Sequence, residues 1–167
     1  MEENAKYAIS IKDRYLTFVL EDEKYGVGIL SVKEIIALQK VVPIPKTPKY
    51  IKGVMNLRGV VIPIIDLRLK LGMYEKKSQI HTAIIILNIH DIDVGFIVDE
   101  VNEVLAISKN ELSNAPTVGS DLNMEIIKYM AQVKGEVIII LDMDKVFEKE
   151  ELTSIKSLVK KPELEEV

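Results

Sequence analysis

The feature that most constrains this chain is that it comes close to repeating itself. Moved along by 69 residues, segment 26–38 falls on 95–107, with Gly26 on Gly95, Val32 on Val101, Glu34 on Glu103 and Ala37 on Ala106. Most of the remaining pairs are apolar on both sides. Moved by 76, Asn56-Leu57-Arg58-Gly59 falls on Gln132-Val133-Lys134-Gly135 and Asp66 falls on Asp142. The change of register between the two alignments matches a longer polar loop at 113–124. Self-similarity of this kind marks a repeated structural unit. Units of about 60–75 residues are too small to bury a self-sufficient core, so the two are expected to share an apolar interface. The division this predicts is a loose leader over 1–13, a domain over 14–152, and the end of a helix with a tail over 153–167. Within the domain, lobes fall at about 14–80 and 81–147, intertwined at their boundary.

The repeated unit reads as β. Isoleucine and valine make up about a quarter of the 167 residues, tryptophan is absent and aromatics are 5%. Side chains branched at Cβ are stiff and suit pleated, half-buried surfaces. Strands are predicted at 15–20, 25–29, 53–57, 60–65, 82–89, 94–98, 101–107, 126–133 and 136–141, several of them joined by tight turns. Pro63, which lacks an amide donor, places 60–65 on an edge or at a bulge. Ser31 with Glu34, and Ser108 with Glu111, have the spacing of capping boxes, so short helices are expected after each, although Val32, Ile35 and Ile36 also suit a strand. Thr47-Pro48 reads as the start of a helical turn after the connector Pro43-Ile44-Pro45. Asp66 caps a short helix closed by Gly72, and Asp142 caps a last helix over 143–152. The fold class is therefore mainly β, in two similar lobes, with short helices and a C-terminal helix.

Several function classes are disfavoured. Lysine plus arginine number 22 against 26 acidic residues, for a net charge of −4, so no global field draws the chain to nucleic acid. The absence of cysteine removes disulfide, thiol and thiolate–metal chemistry and fits a reducing compartment. The N-terminus has no apolar core of a secretory signal, and the longest apolar runs are far below the roughly 20 residues that span a bilayer. His81 and His90 read as turn residues. Gly26-Val27-Gly28 lacks the rest of a dinucleotide fingerprint. Asp99-Glu100 and Asp91/Asp93 are neighbours in strands or turns rather than carboxylates facing across a substrate. No catalytic residue, cofactor site or metal site is expected, and the chain reads as a cytoplasmic non-enzyme. What remains is Arg58 on a glycine-backed turn, where a guanidinium offers a fork of donors to a partner. Around Glu34, Val32, Ile35 and Ile36 give more apolar surface than one short element needs.

These residues carry a resemblance. Residues 25–35, Pro43-Ile44-Pro45, Thr47-Pro48 and the run 51–68, with its core G-V-x-N-L-R-G-x-x-x-P-x-x-D-L-R, resemble the CheW-like family of bacterial chemotaxis coupling proteins. Residues 94–101 and 141–145 resemble that family's second half. The resemblance implies two small five-stranded SH3-like β-barrels around a common core. It implies a non-enzymatic adaptor, recruited to membrane-associated receptor arrays without inserting in the membrane. Its partners would be the cytoplasmic tip of chemoreceptors and the regulatory domain of the histidine kinase CheA, a fold-mate able to join it lobe to lobe. It further implies receptor contact in a groove between the lobes through Arg58, with Val32, Glu34 and Gly53 also in partner binding. The neighbours Ile35, Asn56, Leu57 and Gly59 belong to the same expected surface. Tyr129 stands where the family has a glycine, the counterpart of Gly53, so the expected contact near Tyr129 is reshaped. Two rival readings are a coupling domain of another two-component adaptor, which the short chain disfavours, and a small-ligand-binding β-barrel.

Overall fold

The four predicted hairpins are all strand pairs in the computed structural model, which describes residues 11–115 and 124–159. β1 (Arg14–Leu20) and β2 (Glu23–Gly28) turn at Glu21-Asp22, and β6 (Ala83–Ile89) and β7 (Ile92–Val98) turn at His90-Asp91. β4 (Ile51–Leu57) and β5 (Val60–Asp66) turn at Arg58-Gly59, and β10 (Ile127–Val133) and β11 (Glu136–Leu141) turn at Lys134-Gly135. All eight turn residues have φ between 46° and 85°. That is the left-handed two-residue turn whose twist suits paired strands. The repeat therefore extends from sequence pattern to backbone conformation.

β3 (Val32–Ala37), β8 (Glu100–Ala106) and the short β9 (Leu112–Asn114) complete two sheets. One has the order β3-β6-β7-β5-β4, the other β8-β1-β2-β11-β10-β9. Each repeat has lent its first hairpin to the other: β1 and β2 lie among strands of the second half, and β6 and β7 among strands of the first. The sheets consequently comprise residues 32–98 and residues 14–28 with 100–141. The division near residue 80 separates the sequence repeats and does not separate the sheets. β9, in a stretch expected to be loop, gives the second sheet a sixth strand; the remainder of that loop, 116–123, lies outside the described residues.

Each exchanged hairpin is held by an antiparallel pairing on one side, β1 to β8 or β6 to β3, and a parallel one on the other, with Ile140 opposite Gly26 in one sheet and Ile64 opposite Gly95 in the other. The glycines make room for those isoleucines. A Cβ on Gly26 would stand 2.8 Å from Ile140 Cδ1, and one on Gly95 2.7 Å from Ile64 Cδ1. Interiors are close-packed, so these are positions where even a methyl group is felt.

Three apolar clusters follow from this exchange. Met55, Ile62, Ile64, Ile84 and Ile86 fill the sheet of 32–98, and Tyr15, Ile107, Ala131, Ile138 and Ile140 fill the other. The largest cluster lies between the sheets and includes Leu16, Phe18, Leu87, Phe96, Val98 and Phe147. At about 25 cal/mol per Å2 of apolar surface, this shared core is what neither unit has alone.

Several local expectations change. No helix follows Ser31: residues Ile29–Ser31 form a 3-10 turn, and Val32–Ala37 is a strand. The Ser31 hydroxyl donates to the Gly28 carbonyl at 2.8 Å, and Glu34 is committed elsewhere. After Ser108 only a 3-10 turn (Lys109–Glu111) forms, with the Ser108 amide and hydroxyl both donating to the Glu111 carboxylate at 3.0 Å. Thr47 starts no helix; its hydroxyl donates to the Ile44 carbonyl at 2.9 Å. Pro63 is not on an edge, because β5 lies between β7 and β4. It is tolerated because Val54, its partner across β4, spends its amide and carbonyl on Val42, and pairing to β7 begins only at Ile64.

Asp66 does cap α1 (Leu67–Lys70), accepting from the amides of Arg68 and Leu69. Asp142 caps a 3-10 turn, Met143–Lys145, and the last helix is a separate α2 (Lys149–Val159). Ile155 of α2 is fully buried, so the domain's packing continues beyond residue 152.

Candidate docking site

The β4–β5 turn presents Arg58 on a rigid base. Asn56 Oδ1 accepts the Gly59 amide at 2.8 Å, and Arg58 and Gly59 hold φ of 52° and 85°. Leu57 packs into the cluster inside the sheet, anchoring the turn from below. Arg58 then reaches Glu34 with both terminal nitrogens, Nη1 to Oε1 at 3.1 Å and Nη2 to Oε2 at 2.5 Å. β3 and β4 are the two edges of this sheet, so the fork-to-fork pair clasps edges that share no ladder. The hydrogen bond from Arg58 holds the Glu34 carboxyl below the usual carboxylate range, and Glu34 raises the guanidinium in turn. With the Arg58 side chain 68% exposed, the pair adds little to stability and remains open to an incoming partner.

An open depression lies beside the clasp, floored by Ile62 and Ile86 and edged by Val60, Lys33 and Asp93. Lys33 and Asp93 are paired at 3.1 Å, and Asn88 donates to the same Asp93 carboxylate at 3.1 Å. Exposed aliphatic side chains at Ile35, Val60 and Val61 mark the same sheet. Every residue lining this depression comes from the sheet of residues 32–98, with Ile86 and Asp93 supplied by the second sequence repeat.

The structure thus brings Glu34, Asn56, Leu57, Arg58 and Gly59 together. Ile35 lies next to them on β3 but points away from Glu34, as neighbours in a strand must. Val32, half-buried, packs toward the shared core. Gly53 is buried, with φ of 140°, and a Cβ there would stand 1.9 Å from the Val42 carbonyl oxygen. It lets the connector cross β4 at van der Waals distance. Tyr129 is in the other sheet, opposite Asn114 of β9, packed against the Tyr15 cluster with Lys128 5.5 Å from its ring centre. It is not brought to Arg58.

Two charged networks went unread in the sequence. Arg68 is nearly buried and pairs with both Asp99 and Glu21, joining α1 to the β7–β8 junction and the β1–β2 turn. Asp99 is accordingly a half-buried carboxylate paired with an arginine, and it also accepts the Glu21 amide at 3.0 Å. Lys70 donates to both Glu151 oxygens at 3.1 and 3.0 Å while Tyr50 donates to Glu151 at 2.6 Å, fastening α2 to the connector. Burial pushes the Tyr50 hydroxyl pKa up, and the Glu151 carboxylate adds to it. The signal for Arg68 was its place two residues after a helix-capping aspartate, which accepts its amide at 3.0 Å.

The fold and this site define a two-sheet β module with a charged, solvent-facing clasp beside exposed aliphatic side chains. Among the described residues no cluster of three or more His, Asp or Glu could hold a metal ion, and no helix is long and apolar enough to cross a membrane. The CheW-like domain model matches residues 14–151, and the chain belongs to that family. It is 34% identical over 151 residues to a chemotaxis protein CheW of Klebsiella aerogenes, covering 90% of this chain and 91% of that one. With a chemotaxis protein CheW of Bacillus subtilis it shares 36% over 143 residues, covering 85% and 91%. The crystal structure of the scaffolding protein TtCheW from Thermoanaerobacter tengcongensis superposes with a TM-score of 0.76 at 33% identity, over 82% of this chain and 93% of that one.

Proposed function

We propose that this protein is a non-enzymatic scaffold of chemotaxis signalling that couples transmembrane chemoreceptors to the histidine kinase CheA. In this reading it works in the cytoplasm at receptor arrays. The sheet of 32–98 receives the helical receptor tip, and the regulatory domain of the kinase docks through its own CheW-like fold. The observation that carries the reading is the Arg58–Glu34 clasp. It is a bidentate pair on a preorganised turn, exposed where a structural pair would be buried, with aliphatic side chains beside it. Apolar contact supplies affinity, while the clasp supplies register and specificity. A pull-down against a receptor cytoplasmic fragment and the kinase regulatory domain tests this. Wild type is expected to retain both, and Arg58→Asp to lose the receptor fragment while keeping the kinase domain. Failure of wild type to retain either, or full receptor retention by Arg58→Asp, overturns it.

A further inference from the structure

Strand edges are reactive surfaces that proteins blunt with short strands, prolines, lysines or covering segments. Among the described residues, three of the four sheet edges here are blunted. On β4, Val54 gives its amide and carbonyl to Val42 at 2.9 and 2.8 Å. β9 has only three residues. β3 is spanned by Arg58, reaching Glu34 from the opposite edge. β8 is different. It runs seven residues, Glu100–Ala106, contains no lysine, arginine or proline, and has β1 as its sole sheet neighbour.

The ladder to β1 determines which groups are left over. The Ile107 amide bonds to the Asp13 carbonyl at 2.9 Å, and the Glu103 amide and carbonyl are taken by the Thr17 hydroxyl at 3.2 and 2.7 Å. By strand alternation, Val104 and Ala106 turn their main-chain groups outward. No backbone bond meets them from that side among the described residues. Val104 is 46% exposed, and the carboxylates of Glu100 and Glu103 are exposed and make no ion pair among the described residues. The repeat shows the contrast: Glu34, equivalent to Glu103, is occupied by Arg58, whereas Lys134, equivalent to Arg58, makes no ion pair among the described residues.

We propose that the outer edge of β8 is a strand-addition site for an extended, lysine- or arginine-bearing segment of another protein. Main-chain bonds at Val104 and Ala106 supply the pairing, the Val104 side chain an apolar contact, and Glu100 and Glu103 the selection for positive charge. The same carboxylates disfavour a second copy of this chain, because antiparallel pairing of two β8 strands sets like charges against each other. This surface lies in the sheet that does not contain Arg58.

The test is an amide NMR titration of the full chain with a capped heptapeptide alternating lysine and valine, beside one alternating glutamate and valine. The lysine peptide is expected to shift and protect the amides of Val104 and Ala106, and the glutamate peptide to leave them unmoved. The double variant Glu100→Lys with Glu103→Lys should bind the lysine peptide at least tenfold more weakly with an unchanged far-UV spectrum. Equal response to both peptides, shifts confined to other strands, or undiminished binding by the double variant would overturn the proposal. So would concentration-dependent self-association of the wild type through these amides, which would make the partner a second copy.

Discussion

In the sheet of residues 32–98, the turn after β4 reaches across to β3 through Arg58 and Glu34, and Gly53 lets the Val42 connector cover the β4 edge. At the matching places in the other sheet, Lys134 and Glu103 form no ion pair among the described residues, and Tyr129 stands where Gly53 would, opposite a true strand, β9. The same plan has been finished twice, once with a charged clasp and a glycine crossing, once with an aromatic side chain and an added strand. The turns, the exchanged hairpins and the parallel pairings are common to both. What differs is confined to edges and turn tips. Duplication therefore accounts for the core, and the asymmetry of the edges accounts for how one module can present two unlike faces.

The largest effect that would test this contrast is at Gly53. Gly53→Ala forces a Cβ into the Val42 carbonyl at a φ that side chains avoid, and is expected to cost roughly 4 kcal/mol or prevent folding. Tyr129→Gly, which makes the second repeat like the first, should cost about 2 kcal/mol through lost packing. Urea denaturation of both decides; equal costs would mean the two crossings are not built differently.

Next comes the buried arginine. Arg68→Ala leaves Asp99 without its partner and should destabilise by about 3 kcal/mol. Asp144→Ala, its exposed counterpart 76 residues on, should change stability by no more than about 0.5 kcal/mol. Thermal melts of the pair check this, and a silent Arg68→Ala would show that the network contributes nothing.

The glycines under the parallel pairings give a finer ordering. A Cβ on Gly95 meets Ile64 at 2.7 Å and Ile84 at 2.9 Å, whereas one on Gly26 meets only Ile140 below 3 Å. Both alanine variants should lose about 1–3 kcal/mol, with Gly95→Ala the worse. The reverse order in urea midpoints would contradict the packing described.

The smallest effect is the pH response of the clasp. Glu34 titrates below its ordinary value of 4.5 because Arg58 hydrogen-bonds to it. A carboxyl lowered in the folded state stabilises above the unfolded value, and that contribution is lost as pH falls through the folded value. The clasp should therefore be intact at neutral pH and open only below about 4.5. A carboxyl-carbon NMR titration should show Glu34 returning to the ordinary range in Arg58→Ala; an unchanged midpoint would mean the pair does not form in solution.

Much of this was legible in the sequence because the signals were local and repeated. Alternating isoleucines and valines, Arg58-Gly59 and Lys134-Gly135, and the Asp66 cap each specify their own conformation. The Ser31–Glu34 spacing misled because a capping pattern is a weak local preference. Val32, Glu34 and Ile36 pair with β6, and a ladder with packed isoleucines outweighs one cap. The hairpin exchange was hidden for a different reason. Pairing β2 with β11 rather than with a neighbour changes no residue's pattern of burial, only which strand supplies the contact. Arg68 was hidden because an arginine beside a cap looks solvated until Asp99 and Glu21, distant in sequence, fold over it. Of the residues expected at the site, Glu34, Arg58 and their turn lie together in the structure, while Gly53 lies under Val42 and Tyr129 against the Tyr15 cluster of the other sheet.

The central claim is that this module couples receptor to kinase through the Arg58 face. The most direct measurement is the autophosphorylation rate of CheA mixed with receptor fragments, with and without this protein. The account predicts that kinase activity comes under receptor control only when the wild-type protein is present, and that Arg58→Asp abolishes that control while remaining folded. Receptor control without the protein, or full control with Arg58→Asp, would contradict it.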